Sequence, residues 1–121
     1  MVEVNSIRHK YPNYDSFGKV VIGDWVYIGT KAQVMPGVTI GNHVIVAAGS
    51  IVTKSIPAGC IVAGNPARII GTIDDYIYKN LKWNVATKQL SYKDKKRVLQ
   101  SLPNERFIKR EYMQFPESIG L

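Results

Sequence analysis

Branched aliphatic residues recur at every sixth position through much of the first half of the chain. A glycine or alanine directly follows four of them, and a second series of small or aliphatic residues runs two positions ahead. A period of six fits neither an amphipathic helix of period 3.6 nor a hairpin meander with irregular turns. The pattern predicts a β-helix, in which each hexapeptide supplies one short strand and one turn. The main series consists of Ile22, Ile28, Val34, Ile40, Val46 and Val52.

The aliphatic residues of successive hexapeptides are expected to point inward and stack, while the small residue after each leaves room for the turn. The repeats run from about Val20 to Ile61, which makes little more than two coils if three hexapeptides complete one coil. Solenoids usually need at least about three repeating units for stability. We therefore expect either preceding coils or an oligomer to cover the faces of this tract.

A different pattern begins after Gly71. The stretches TIDD from Thr72 and SYKD from Ser91 match the capping pattern of helix N-termini, so two helices are predicted to start there. Pro103 is expected to end the second helix. The predicted organisation is an N-terminal loop at 1–19, β-helix coils at 20–71 and a helical C-terminal extension at 72–121.

Composition narrows the class of protein. Of the 121 residues, 45% are hydrophobic and 21% are charged, and the single cysteine, Cys60, cannot form an intramolecular disulfide. No apolar run approaches the ~20 residues of a membrane span, and the N-terminus lacks the apolar core of a signal peptide. These features predict a soluble cytoplasmic protein.

The formal net charge of +7 favours an anionic partner, such as nucleic acid, a membrane surface or a phosphorylated small molecule. The basic residues are spread over both halves of the chain without clustered stacking aromatics. Nucleic-acid binders usually combine a basic groove with such aromatics. We therefore expect no nucleic-acid partner.

Three ordered motifs carry a family resemblance. They read VYIGTKAQVMPGVTIG at 26–41, VAAGSIVTKSIP at 46–57 and VAGNPARII at 62–70. Together they resemble the terminal coils of the hexapeptide-repeat acyltransferases, above all the sugar, polysaccharide and virginiamycin-type O-acetyltransferases. The resemblance implies an all-β solenoid, namely a left-handed parallel β-helix, with a short C-terminal α-helical extension. It also implies a homotrimer with active sites between neighbouring solenoids, and acetyl-CoA as the acyl donor.

Coenzyme A carries phosphates and an extended pantetheine arm, so its site requires cations and a groove of small residues. The small residues around Ala48 would let such an arm approach the backbone as an added strand does. The alternative is that these residues only suit a solenoid corner and that Lys54 and Arg68 are surface charges. The resemblance places the contacts to coenzyme A at Thr30, Ala48, Thr53, Lys54 and Arg68.

Two aromatic residues are candidates for the substrate groove. Tyr27 stands where the family usually has a tryptophan beside the groove, and Trp25 lies two residues earlier. Residues two apart on a strand face the same side of a sheet, so both are predicted to line the groove. The alternative is that these aromatics fill a subunit interface. His43, at a predicted turn, is interpreted as a surface residue.

Acyl transfer to a hydroxyl requires a base that accepts the acceptor's proton near neutral pH, a task that suits histidine. In the family this base is a histidine just upstream of the terminal coils, which makes His9 the candidate catalytic residue. Only eight residues precede His9, whereas the family places one or more full coils before its histidine. The alternative is that His9 is a loop residue and that the base lies upstream of Met1.

The resemblance thus implies an acetyl-CoA-dependent O-acetyltransferase that acts on a hydroxyl of a sugar or similar small molecule through a histidine base. The second interpretation is a non-catalytic or truncated trimerising β-helix module that keeps the coenzyme A residues. A γ-type carbonic anhydrase shares the fold, but its zinc needs three histidine ligands and the chain has two histidines. No metal site is therefore expected.

Overall fold

The computed structural model describes residues 2–119, and the chain divides after Ile77 into two compact units. Helix α2 (Ile73–Asn80) spans this boundary, and the second unit contains helix α3 (Tyr92–Ser101) with short 3-10 helices at Leu81–Trp83, Asn104–Arg106 and Glu117–Ile119. The first unit contains helix α1 (Val2–Lys10) and strands β1 (Val21–Ile22), β2 (Val26–Ile28), β3 (Gln33–Val34), β4 (Thr39–Ile40), β5 (Val44–Val46), β6 (Ile51–Val52), β7 (Cys60–Gly64) and β8 (Ala67–Thr72).

The first six strands pair in parallel. β1 pairs with β4, β2 with β5 and β3 with β6, and each residue lies opposite the one eighteen positions further along. Three hexapeptides therefore make one coil, as the six-residue period predicts. We call β1 to β3 with their turns the first coil, and β4 to β6 with theirs the second coil. β7 then pairs in parallel with β5 and begins a third layer. The predicted left-handed sense of the coil stays a prediction.

The core lies in the second coil and beneath β7. Its buried aliphatic side chains come from both series of the six-residue pattern, so the predicted inward stacking is confirmed for this coil. In the first coil the equivalent residues Ile22 and Ile28 are exposed, because within the described chain that coil has a neighbour on one side only. The buried set includes Val38, Ile40, Val44, Val46, Val52 and Val62.

The glycines that follow the aliphatic residues sit where adjacent coils approach each other most closely. A Cβ atom on Gly29 would run into the backbone of Ala48 in the second coil. A Cβ atom on Gly41 would lie 2.7 Å from the backbone nitrogen of Ala58. Real Cβ atoms do not pack this tightly, so a side chain at either position would push the coils apart.

The parallel stacking ends in a hairpin, which corrects the prediction of coils throughout 20–71. β8 runs antiparallel to β7 and returns along it from a turn at Asn65 and Pro66. Ser50, whose side chain is buried in the second coil, accepts a hydrogen bond at its Oγ from the Gly64 N–H at 3.2 Å. This bond fastens the hairpin to the coil beneath it.

The N-terminal segment also differs from its prediction as a loop over 1–19. Residues 2–10 form α1, and the irregular segment is shorter, running from Tyr11 to Val20. No glycine or proline interrupts residues 2–10, and the three basic residues of the last turn face the negative end of the helix dipole. Met1 lies outside the described residues.

The two C-terminal helices begin where the capping patterns predict. Thr72 Oγ1 accepts a hydrogen bond from the Asp75 N–H at 3.1 Å, at the start of α2. Ser91 Oγ accepts one from the Asp94 N–H at 3.2 Å, at the start of α3. Within residues 2–119, no helix is long and apolar enough to cross a membrane.

Candidate functional site

Lys54 and Arg68 line the same cavity, of about 230 Å³. Lys54 follows β6 at the end of the second coil, and Arg68 lies in β8, opposite Ala63 of β7. Because β8 folds back along β7, it returns Arg68 to the coil that carries Lys54. The fold thus brings together two of the five residues predicted to contact coenzyme A.

The chemistry of this cavity suits an anion. Ser55 adds a hydroxyl beside the two cations, and apolar walls come from Val62 and Ile69. Among the described residues that line the cavity, none is acidic. Arginine can hold a phosphate through two parallel N–H···O bonds, and lysine adds a compact positive charge.

Thr30 and Ala48 lie in two neighbouring turns away from this cavity. The Thr30 carbonyl accepts a hydrogen bond from the Gly49 N–H at 2.9 Å, which joins the turn after β2 to the turn after β5. Ala48 and Gly49 are both exposed, so small side chains leave the backbone of this corner accessible. Thr53, the remaining predicted contact, is exposed beside Lys54 but does not line the cavity.

The prediction that Trp25 and Tyr27 lie on one strand and face the same side of it is wrong. Tyr27 lies in β2, exposed and opposite Ile45 of the next coil. Trp25 precedes β2 in a turn and has a left-handed backbone, with φ of 59°. The two residues therefore do not belong to one strand, and the alternation of side chains along a strand does not place them on the same face. Their roles as groove residues stay predictions.

Trp25 instead stacks on His43, with ring centroids 6.5 Å apart and planes inclined by 11°. Both residues occupy the left-handed position of equivalent turns in successive coils, and Gly59 occupies that position in the next layer. The His43 N–H donates to the Asp24 carbonyl at 2.9 Å, which holds the two turns together. Sequence reasoning treated His43 as a lone surface residue, although the eighteen-residue spacing from Trp25 signals the contact.

His9 lies exposed in the last turn of α1. A cavity of about 450 Å³ beside this helix is lined by Arg8 and Asp15, but not by His9. Arg8 forms an ion pair with Asp15 at 3.5 Å and donates from Nε to the Tyr14 carbonyl at 3.0 Å. Arg8 thus connects α1 to the segment that follows it, a role that sequence reasoning missed.

Metal ligands are not grouped in the part of the chain that the structure describes. No cluster of three or more histidine, cysteine, aspartate or glutamate side chains there could hold a metal ion. Cys60 is buried as a free thiol in β7.

Comparison with known proteins shows what the repeats are similar to. Residues 19–54 match the family described as bacterial transferase hexapeptide (six repeats). Protein CapG of Staphylococcus aureus is 48% identical over 89 residues, which are 74% of this chain and 52% of CapG. Galactoside O-acetyltransferase of Escherichia coli K12 is 45% identical over 67 residues, which are 52% of this chain and 33% of that enzyme.

A solved structure shows the same relationship. A hexapeptide-repeat containing acetyltransferase from Vibrio cholerae, complexed with acetyl coenzyme A, is 37% identical with a TM-score of 0.50, over 54% of this chain and 36% of its own. Residues 19–54 therefore match the repeats of the bacterial hexapeptide transferases, which confirms the resemblance drawn from the three motifs. The chain spans between a third and about half of the length of these relatives.

Proposed function

We propose that the protein binds acetyl-CoA and transfers its acetyl group to a hydroxyl of a sugar or similar small molecule. The observation that carries this proposal is the presence of Lys54 and Arg68 on the lining of one cavity. Support also comes from the relatives, since one is a galactoside O-acetyltransferase and another was solved with acetyl coenzyme A bound.

The residues at the cavity fit one end of the coenzyme. Sites that enclose a whole ligand usually measure about 300 to 1,000 Å³, so a cavity of about 230 Å³ is suited to a phosphate-bearing end. The exposed small residues Ala48 and Gly49 offer backbone along which an extended arm can lie. Thr30 and Thr53 add hydroxyls near these two places.

The chain's own residues have three tasks in the proposed reaction. Bound acetyl-CoA would supply an acetyl group already activated as a thioester: the acceptor oxygen would bond to the acetyl carbon, the C–S bond would break and coenzyme A would leave as its thiolate. Lys54 and Arg68 hold the anionic end, and Tyr27 with Trp25 forms walls that orient the acceptor. We assign to His9 the removal of the acceptor proton, since histidine is the side chain that most often acts as a general base and His9 is exposed. The predicted homotrimer belongs to the same proposal.

Binding of acetyl-CoA is tested by calorimetry on the wild-type chain, on Lys54→Ala and on Arg68→Ala. We expect saturable binding near one site per chain, weakened about 10-fold or more by each variant, because a hydrogen bond to a charged group contributes about 1.5 to 3 kcal/mol. Lys93→Ala, which removes an exposed cation from α3, is the matched control and should leave the affinity unchanged. Absence of binding by the folded wild-type chain would contradict the proposal.

The base is tested by replacing His9 with alanine and measuring turnover with galactosides as acceptors. His9→Ala should lower kcat by about 100-fold or more at unchanged acetyl-CoA affinity, because it removes the proton acceptor and not the phosphate contacts. Lys10→Ala, which changes the neighbouring exposed side chain in the last turn of α1, is the matched control and should keep most of the activity. Full activity of His9→Ala would exclude His9 as the base, and coenzyme binding without any turnover would favour the non-catalytic module.

A further inference from the structure

Most of the net positive charge of the protein lies in the second unit. Residues 78–121 hold ten basic and four acidic residues, a net charge of +6, whereas residues 1–77 hold six basic and five acidic residues, a net charge of +1. The cavity proposed to hold the coenzyme uses Lys54 and Arg68, which both belong to the first unit. The proposed function therefore does not account for the charge of the second unit.

One segment of the second unit combines positive charge with exposed apolar side chains. Residues 106–115 read RFIKREYMQF, and we call them the basic apolar segment; they contain three cations and one acid. The chain between the 3-10 helices Asn104–Arg106 and Glu117–Ile119 forms no helix or strand, and every residue of 107–116 is exposed. The large apolar members of the segment are Phe107, Ile108, Tyr112, Met113 and Phe115.

The second unit gives these apolar side chains no cover. Met113 is 97% exposed, Tyr112 is 92% exposed and Phe115 is 71% exposed. Among residues 78–118 none is buried, so this part of the chain has no core of its own into which they could pack. Single exposed apolar side chains are common on proteins, but a run of them beside cations is typical of an interaction surface.

Two cations of the segment face an open depression. Lys109 and Arg110 line this depression, of about 440 Å³, beside Glu111. Neither cation forms an ion pair with a residue that the structure describes. The third cation is engaged, since Arg106 Nη2 donates to the Asn84 carbonyl at 3.1 Å and ties the start of the segment to the second unit. Lys109 and Arg110 can therefore bind an external anion.

The mixture of side chains favours a lipid surface over other anionic partners. Interfacial segments of membrane-bound proteins place cations at lipid phosphates and apolar side chains among the acyl chains beneath them. Nucleic acid stacks on aromatic rings, but it would leave the aliphatic side chains of Ile108 and Met113 exposed. A second copy of the segment would bring like charges together.

We propose that the basic apolar segment attaches the protein to an anionic lipid surface. Lys109 and Arg110 bind lipid phosphates, while Tyr112, Met113 and Phe115 enter the boundary between headgroups and acyl chains. The other cations of the second unit raise the concentration of the protein near such a surface. Attachment of this kind needs no membrane-spanning helix. The inference stands independently of the acetyltransferase proposal.

Binding is measured by flotation of the full chain with two kinds of vesicle. One consists of phosphatidylcholine alone, and the other contains about one-quarter phosphatidylserine, for which we expect an affinity at least about 10-fold higher. Raising the salt concentration to about 0.5 M should weaken binding at least about fivefold, because salt screens exposed charges. Equal affinity for the two kinds of vesicle, or no binding to either, would overturn the proposal.

Charge reversals locate the electrostatic contribution. Lys109→Glu/Arg110→Glu should lower the affinity for the anionic vesicles at least about 10-fold. The matched control is Lys10→Glu/Lys19→Glu, which makes the same change in net charge at exposed residues of the first unit and should lower the affinity less than about threefold. Equal losses would show that the net charge of the chain, and not the segment, attracts the vesicles.

A serine substitution tests the apolar contribution. Phe115→Ser should lower the affinity for the anionic vesicles at least about fivefold, because it removes a side chain that leaves water on binding. Phe17→Ser changes an exposed aromatic side chain of the first unit and should leave the affinity unchanged. Phe115→Ser should also leave the oligomeric state unchanged. Dissociation of an oligomer by this variant would show that the segment packs against another copy, which would overturn the proposal.

A fluorescent probe distinguishes entry into the bilayer from adsorption at its surface. Emission of Tyr112→Trp should be quenched about twofold more strongly by lipids with brominated acyl chains than emission of the wild-type chain, whose Trp25 and Trp83 provide the background. Equal quenching would overturn insertion of the segment. Tighter binding to a single-stranded oligonucleotide than to the anionic vesicles, lost in the Lys109→Glu/Arg110→Glu variant, would assign the segment to nucleic acid instead.

Discussion

Gly29 shows how one residue sets the spacing between two coils. It follows the inward-facing Ile28 and lies against the backbone of Ala48 in the next coil. The close approach allows the Gly29 N–H to donate to the Val46 carbonyl at 2.8 Å. A side chain at this position would have to displace backbone atoms, which cannot give way as a flexible side chain can.

We expect Gly29→Ala to lower the free energy of unfolding by about 1 to 3 kcal/mol, because the new Cβ atom overlaps the Ala48 backbone. Gly71→Ala is the matched control, since a Cβ atom there would meet no atom within 4 Å. That substitution should change stability by less than about 0.5 kcal/mol. Urea unfolding of both variants measures the difference, and equal stabilities would show that the coils can separate freely at this turn.

At the scale of elements, the β7–β8 hairpin forms one side of the candidate site. It closes the parallel stack, carries Arg68 and returns it to the cavity that Lys54 also lines. Its turn is tied to the second coil through Ser50, which is 1% exposed. The position of one cation therefore depends on a buried hydroxyl outside the cavity.

Ser50→Ala should lower the free energy of unfolding by about 1 to 2 kcal/mol, because it removes a buried hydrogen bond to the Gly64 N–H. Ser55→Ala is the matched control. Ser55 Oγ accepts a hydrogen bond from the Thr39 N–H at 3.0 Å, but both residues are exposed and water can replace the lost acceptor. Thermal and urea unfolding compare the two, and a larger loss for Ser55→Ala would contradict the structural role of Ser50.

The sequence predicted elements well where a local interaction defines them. Thr72 and Ser91 cap α2 and α3 through contacts three residues away, which a short pattern is sufficient to signal. Helix α1 has no comparable signal, and its connection to the following segment depends on the Arg8 to Asp15 pair. The antiparallel direction of β8 depends on the turn before it and on its pairing with β7. A six-residue repeat pattern extended to residue 71 could not indicate this direction.

At the scale of the whole molecule, the buried core is small and many apolar side chains of the described residues are exposed. The buried aliphatic residues belong chiefly to the second coil, and the first coil exposes their equivalents Ile22 and Ile28. Solenoids gain stability from each added neighbour, because every repeat is covered by the next.

The predicted homotrimer is tested by sedimentation equilibrium over a range of protein concentrations. We expect a mass three times that of the chain, with no change after addition of acetyl-CoA. The physical reason is that outer faces of short coils bury apolar surface on association, including exposed side chains such as Tyr27. A monomer at all concentrations would contradict the trimer and with it the placement of active sites between solenoids.

The sequence by itself determined the repeat of the coil, the inward aliphatic positions of the second coil, the small residues between layers and the starts of two helices. These features follow from spacing along the chain, which the amino-acid order contains directly. Only the tertiary structure decided that Lys54 and Arg68 line one cavity, that Trp25 stacks on His43 and that Ile22 and Ile28 are exposed. Each of these depends on which distant segments become neighbours in space, a property that spacing along the chain does not specify.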